Sequence, residues 1–216
     1  MRSLMFLALI FLSNQSFGNC ERASDTSRVV VAGGSLTETI YYLEANETLV
    51  ARDLTSNYPP EALALPSIGY VRNLSTEGLL SLMPTLILGE ADVGPPPVLD
   101  QLRNISVDFR ILAETHDMRG IINKTICIAN ILDVESELLD LKLRELRSDI
   151  EKLKNTHILG KKKILLILMM KGTSPIVAGS NTAGDGFIKM TGNLNAFNDV
   201  DGWKPVGIES ILSVDP

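Results

Sequence analysis

The sequence predicts an α/β fold: two α/β lobes joined by a long rigid helix, with a ligand cleft between the lobes. Three observations carry this expectation. Short β-branched or apolar runs alternate with helical patterns through the first half, as in βα units that build a mostly parallel sheet. A long helical stretch with one apolar stripe follows, and then the alternation restarts. The 216 residues are 45% hydrophobic, ample for packed cores. The expected boundaries are a leader over 1–18, a first lobe over 28–116, a helical linker region over 117–156 and a second lobe over 157–216.

The leader is read from a basic start, "MR", an apolar run, "LMFLALIFL", and small residues in "SFG", with cleavage after Gly18. Nine apolar residues are too few to span a bilayer. Cys20 follows closely, but Asn19 before it fits a lipoprotein cleavage site badly. An exported chain could pair Cys20 with Cys127. Cys127 also lies in an apolar helical pattern, "IINKTICIANIL", where a buried free thiol is the commoner case.

"RVVVAGGSLTETIYYLE" reads as strand, glycine turn and helix, with Ser35 and Glu38 at capping-box spacing. "ETLVARD" is a second strand and "TSNYPPEALALP" a proline-rich loop. "STEGLLSLM" and "VLDQLRNIS" are helices; "PTLILGE" and "VDFRILAE" are strands. Met118 to Leu132 and Val134 to Asn155 are helical. In the latter, Leu139, Leu143, Leu146, Ile150 and Leu153 form one stripe, with Asp140–Arg144 and Arg147–Glu151 at i,i+4. That stripe covers about two heptads, short of a coiled coil. "KKKILLILMM" is then a strand, "SPIVAGSNTAGDGFIKMTG" a strand, turn and helix, and "VGIESILSV" a helix.

One internal echo stands out. "LSTEGLLSLMP" and "VGIESILSVDP" share a frame that puts Glu77 and Glu209 in register, each in the first turn of a helix. Acids are favoured there by the helix dipole, but one per lobe also suggests a two-point docking face. The first copy's proline is followed by a core strand. The second copy stops at Pro216, so the second lobe is expected to be C-terminally incomplete.

Net charge is −6, with 20 basic and 26 acidic residues. An acidic chain without a basic stripe is a poor nucleic-acid binder. No GxSxG, HExxH, P-loop or GxGxxG motif is present, and an enzyme is not expected. The two histidines, His116 and His157, are some forty residues apart and read as surface or capping residues. Glu90 and Asp92 read as a solvated loop beside "GPPP".

The stretch "LPSIGYVRNLSTEG" places Tyr70 and Arg72 after Gly69. A phenolate is a hard ligand for ferric iron and a known axial ligand of haem. It needs nearby positive charge to ionise near neutrality, which the metal or Arg72 can supply. In an extended segment the two side chains would share a face. The residues alone equally allow Tyr70 to pack over its loop while Arg72 pairs with a carboxylate.

Thr55 to Leu88, with "VVVAGGSLTETIYYL" before it and Ile176 to Pro216 after, resembles the haem-binding periplasmic proteins of bacterial haem-uptake ABC transporters. The Gly-Tyr-x-Arg segment is the most specific part; the lobe starts are shared with siderophore and cobalamin binders. The resemblance implies a monomeric haem carrier in the periplasm, with haem edge-in between the lobes. Tyr70 matches the axial iron ligand and Arg72 the arginine that supports it. Glu77 and Glu209 match acids that salt-bridge an inner-membrane ABC permease, downstream of an outer-membrane haem receptor system. A ferric siderophore or cobalamin ligand is the alternative, as is a truncated, non-transporting product. Three departures accompany the likeness. The family continues beyond Pro216. Some relatives hold a second haem through a second-lobe histidine, for which only the poorly placed His157 is available. Glu44 stands where the first helix often ends in glycine.

Overall fold

A computed structural model describes residues 20–156, 160–171 and 174–216. The leader expected over 1–18 and the placement of His157 lie outside the described residues. Four strands, β1 (Val29–Ala32), β2 (Leu49–Arg52), β3 (Leu86–Gly89) and β4 (Asp108–Ile111), form one parallel sheet in the order β2-β1-β3-β4. Every residue of β1 and β3 is buried, as strands covered on both faces must be. Alternation sorts the side chains between two cores. Val29, Val31, Leu86 and Leu88 pack with Leu36, Ile40, Ile128 and Ile131 on one face. Val30, Ala32 and Ile87 pack with Val71, Leu79, Val93 and Leu102 on the other. Helices α1 (Gly34–Tyr42) and α4 (Met118–Leu132) supply the first face. Helices α2 (Thr76–Leu80) and α3 (Pro96–Arg103) supply the second.

The chain departs from the predicted capping box. Gly33 is the N-cap of α1 and makes no side-chain cap, so Ser35 falls inside the helix. The orphan N–H groups go instead to Glu90, just past β3. Its Oε1 accepts from Ser35 N at 3.1 Å and Leu36 N at 3.3 Å, and from Ser35 Oγ. Asp53, fully buried after β2, accepts from Gly33 N at 2.9 Å and Thr55 N at 2.7 Å. A carboxylate thus grips the β1–α1 turn from each neighbouring strand end, where positive dipole and free donors meet.

The cysteines are paired. Cys20 and Cys127 form a disulfide across 107 residues, so the free-thiol expectation gives way. The Cys20–Ala23 segment lies against α4: Ala23 N donates to Ile131 O at 3.0 Å, and Arg22 meets Asp133 at 2.8 Å.

Helix α5 (Ser136–Lys154) follows α4 after a left-handed residue, Asp133, at φ 56°. Its stripe packs only at the near end: Leu143 is buried, whereas Leu153 is 42% exposed. The predicted i,i+4 ion pairs do not form; Lys152–Asp149 and Lys154–Glu151 pair at i,i+3. Glu44 takes the left-handed conformation a glycine would favour, at φ 57°, and its carboxylate meets Lys142 Nζ on α5 at 2.6 Å.

After α5 the expected single strand is split. Strand β5 (Lys163–Ile164) pairs in parallel with β8 (Leu194–Asn195). Strands β6 (Ile167–Lys171), β7 (Ser174–Ala178) and β9 (Trp203–Pro205) form an antiparallel sheet in the order β6-β7-β9. Helix α6 (Ala183–Met190), capped by Thr182, follows β7, and α7 (Ile208–Val214) ends the chain. Helix α6 abuts the segment before α4 so closely that a Cβ on Gly186 would fall 2.0 Å from the His116 carbonyl oxygen.

Candidate functional site

In the sheet order β2-β1-β3-β4 the chain moves from β1 to β2 on one side, then crosses to β3 on the other. Open α/β sheets bind ligands outside the carboxyl ends of strands, at such a switch point. Two loops rise at that edge. The loop after β2 runs beside Arg52, with Ile68 N donating to Arg52 O at 2.9 Å and Leu54 N to Gly69 O at 2.7 Å. The loop after β3 begins at Glu90. They are knitted together: Gly94 N donates to Val71 O at 3.0 Å, and Leu74 N to Gly94 O at 2.9 Å. Val71, Leu74 and Val93 are buried in the same core.

On this base Tyr70 is 44% exposed, beyond Gly69 at φ 93°. The segment is not extended. Asn73 N donates to Tyr70 O at 2.8 Å, closing a tight turn. Val71 is buried while Tyr70 and Arg72 are exposed. Both Arg72 Nε, at 2.9 Å, and Nη2, at 2.7 Å, donate to Asp92 Oδ2. Asp92 thus lies on an exposed loop, as expected, but is paired there with Arg72. Arg72 is held charged more firmly than usual by Asp92, against some desolvation, and the Tyr70 phenol adds in the same sense. The guanidinium's hydrogen bonds go to the carboxylate and not to the phenol. The sequence raised this arginine–carboxylate pairing without its partner.

Glu90, the other half of the supposed solvated loop, is largely buried. Burial pushes its carboxyl upward in pKa, opposed by the Ser35 hydrogen bond. Ser35 Oγ also accepts from Lys124 Nζ at 2.5 Å, and Lys124 reaches Glu114 at 3.1 Å. Ser35, Lys124 and Glu114 border a cavity of about 300 Å³ that also takes in Glu38, His116 and, from α6, Ala183 and Met190. Tyr70 and Arg72 are not among its lining residues.

Glu77 and Glu209 both lie in the first turns of their helices, as expected, and both are exposed. Glu77 lines an open groove of about 890 Å³ between α2 and α3, with Leu74, Leu80 and Val98. Glu209 stands beside exposed Ile208 and Leu212. Among the described residues neither acid makes an ion pair.

Residues 29–216 match the family model described as periplasmic binding protein, and the chain belongs to that family. The family comprises substrate-binding transport proteins, which locates this chain's relatives in the periplasm. Among solved structures, the chain is similar to the periplasmic haem-binding protein BhuT in complex with two haems. Identity is 34% and the TM-score 0.81, over 88% of this chain and 74% of that one. It is similar to the periplasmic haem-binding protein HutB of Vibrio cholerae, with 34% identity and a TM-score of 0.76, over 89% and 74%. It also resembles a vitamin B12-binding protein of Pectobacterium carotovorum subsp. carotovorum (strain PC1), 27% identical over 88% of this chain and 68% of that protein. The chain is thus a periplasmic binding protein of the cobalamin, siderophore and haem type.

Proposed function

We propose that this protein captures ferric haem and hands it to an inner-membrane ABC importer. The observation that carries this reading is Tyr70, an exposed phenol on a loop braced at the sheet's switch point, with Arg72 exposed on the same turn. Ferric iron is a Lewis acid that lowers the phenol's affinity for its proton; Arg72 stabilises the resulting phenolate. Haem is cargo, and no bond in it is made or broken apart from the iron–oxygen contact. The two 34%-identical haem binders favour this cargo. The vitamin B12 relative supports a corrinoid as the second reading, in which Tyr70 would be a wall of the site.

Two lobes joined by α4 and α5 would enclose the cargo, with residues of α6 facing those of α1. Glu77 and Glu209, one on each lobe and both without an ion pair among the described residues, would meet basic residues of the permease halves. Titration of the protein with ferric haem, and separately with cobalamin, tests the reading. Haem should bind with a phenolate-to-iron charge-transfer band. Tyr70→Phe should abolish the band and weaken binding at least tenfold, about 1.4 kcal/mol. An unchanged spectrum, or cobalamin bound in preference to haem, overturns the assignment. Glu77→Ala and Glu209→Ala should leave haem affinity intact and reduce transport in reconstituted vesicles.

A further inference from the structure

We propose that Asp92 is a positioning residue of the haem site, holding Arg72 beside Tyr70; this rests on the reading of Tyr70 as the iron ligand. An arginine side chain is long and rotamer-rich, and Arg72 is exposed. Left alone it would spend much of its time away from the phenol. Asp92 Oδ2 takes two donors from one edge of the guanidinium, Nε–H and an Nη2–H. Of five N–H donors, three remain for a phenolate or a ligand carboxylate. Asp92 therefore fixes Arg72 without consuming it.

An exposed ion pair usually contributes little, because both side chains must be ordered and water screens them. Here the backbones under the pair are already fixed relative to each other. Glu90 N donates to Ala32 O at 3.0 Å, Val93 N to Glu90 O at 3.1 Å and Gly94 N to Val71 O at 3.0 Å. A continuous path of hydrogen bonds thus runs from β1 through the loop of Asp92 to the turn of Arg72. Buried Val93 and Val71 lock the two ends. No other hydrogen bond or ion pair of either side chain is formed among the described residues, so Asp92 and Arg72 are each other's partner.

The test is ferric haem titration of the full chain carrying Arg72→Ala, Asp92→Ala, Asp92→Asn, Asp92→Glu or both alanine changes. Asp92→Ala and Asp92→Asn should each weaken haem binding about threefold to tenfold. They should shift the charge-transfer band in the same direction as Arg72→Ala, which a merely structural residue would not do. The double variant should bind no more weakly than Arg72→Ala alone, and Asp92→Glu should recover most of the loss. Wild-type affinity and band position in Asp92→Ala, or additive losses in the double variant, would overturn the assignment. Tyr70→Phe separates the two levels. If it keeps the wild-type spectrum, the ligand reading falls and this inference with it. If it loses the band while Asp92→Ala changes nothing, only the role of Asp92 falls.

Discussion

Residues 29–112 and residues 163–216 both alternate strands with helices, yet they bury their apolar side chains very differently. In the first region β1 and β3 are wholly buried, and two cores flank the sheet. In the second, Val177, Ala178, Ile188 and Phe197 are buried. Ile167, Leu168, Met169 and Met170 of β6 are 46–58% exposed, and Phe187 and Leu212 are more so, at 61% and 73%. Strand β6 is also the edge of its sheet. The difference separates two tasks. The loops of Tyr70, Arg72 and Asp92 stand on a scaffold whose own core holds them rigid. In the proposed function the second region would contribute Glu209 and the α6 face, from a less closely packed base.

Breaking the first region, or the Cys20–Cys127 bridge packed on its core, should cost far more than altering the second. Reducing the Cys20–Cys127 disulfide, or replacing both cysteines by serine, should lower stability by roughly 4 kcal/mol, because the bridge closes a loop of about a hundred residues. Chemical denaturation with and without reductant reads this. Next comes a matched pair of core and edge substitutions. Leu88→Ala, at a fully buried position, should cost about 3 kcal/mol. Met169→Ser, more than half exposed, should change stability by less than about 0.5 kcal/mol. It should also reduce aggregation, since it removes apolar surface from an edge strand. Equal losses in the two variants would erase the distinction between the regions.

What the sequence made legible follows the range of the interaction. Val29 to Val31 and Leu86 to Leu88 announce buried strands by local composition, and α4 spans Met118–Leu132 as its helical pattern predicts. Helix α5 came through because its stripe is periodic, although Leu153 shows that a stripe need not be covered along its whole length. Contacts between distant segments were not legible. The Ser35–Glu38 spacing is a real local signal. It lost to Glu90, 55 residues away from Ser35, because the glycine pair starts the helix two residues earlier. Asp92 lies 20 residues from Arg72, and nothing between them in sequence hints that their loops share a ladder. The disulfide is the same case at longer range. Tyr70 and Arg72 drew attention through their chemistry, whereas the carboxylate that pairs with Arg72 became visible only in three dimensions.

The smallest expected effect is a difference in the sign of pH dependence between the regions. Burial raises the folded-state pKa of Glu90 above its ordinary 4.5. The folded state then binds more protons than the unfolded, so this contribution is complete below the unfolded value and lost as pH rises through the folded one. Asp185 on α6 behaves oppositely. Desolvation would raise it, but Lys189 Nζ at 2.7 Å and Asn195 Nδ2 at 3.0 Å outweigh that and hold it below its ordinary 3.8. Its contribution is present above the unfolded value and lost as pH falls through the folded one. The one tryptophan in the chain, Trp203, lies in β9 and reports on the second region alone. Thermal melts followed by Trp203 fluorescence and by far-ultraviolet circular dichroism from pH 3 to 8 therefore read both regions. Asp185→Asn should lower the Trp203 transition near neutrality by about 1 kcal/mol, with the gap closing in acid. Glu90→Gln keeps a carbonyl acceptor for the α1 donors. It should match the wild type in acid and become the more stable of the two as pH rises, by less than about 1 kcal/mol. The same pH trend in both variants would show that the two carboxylates are not held in opposite states.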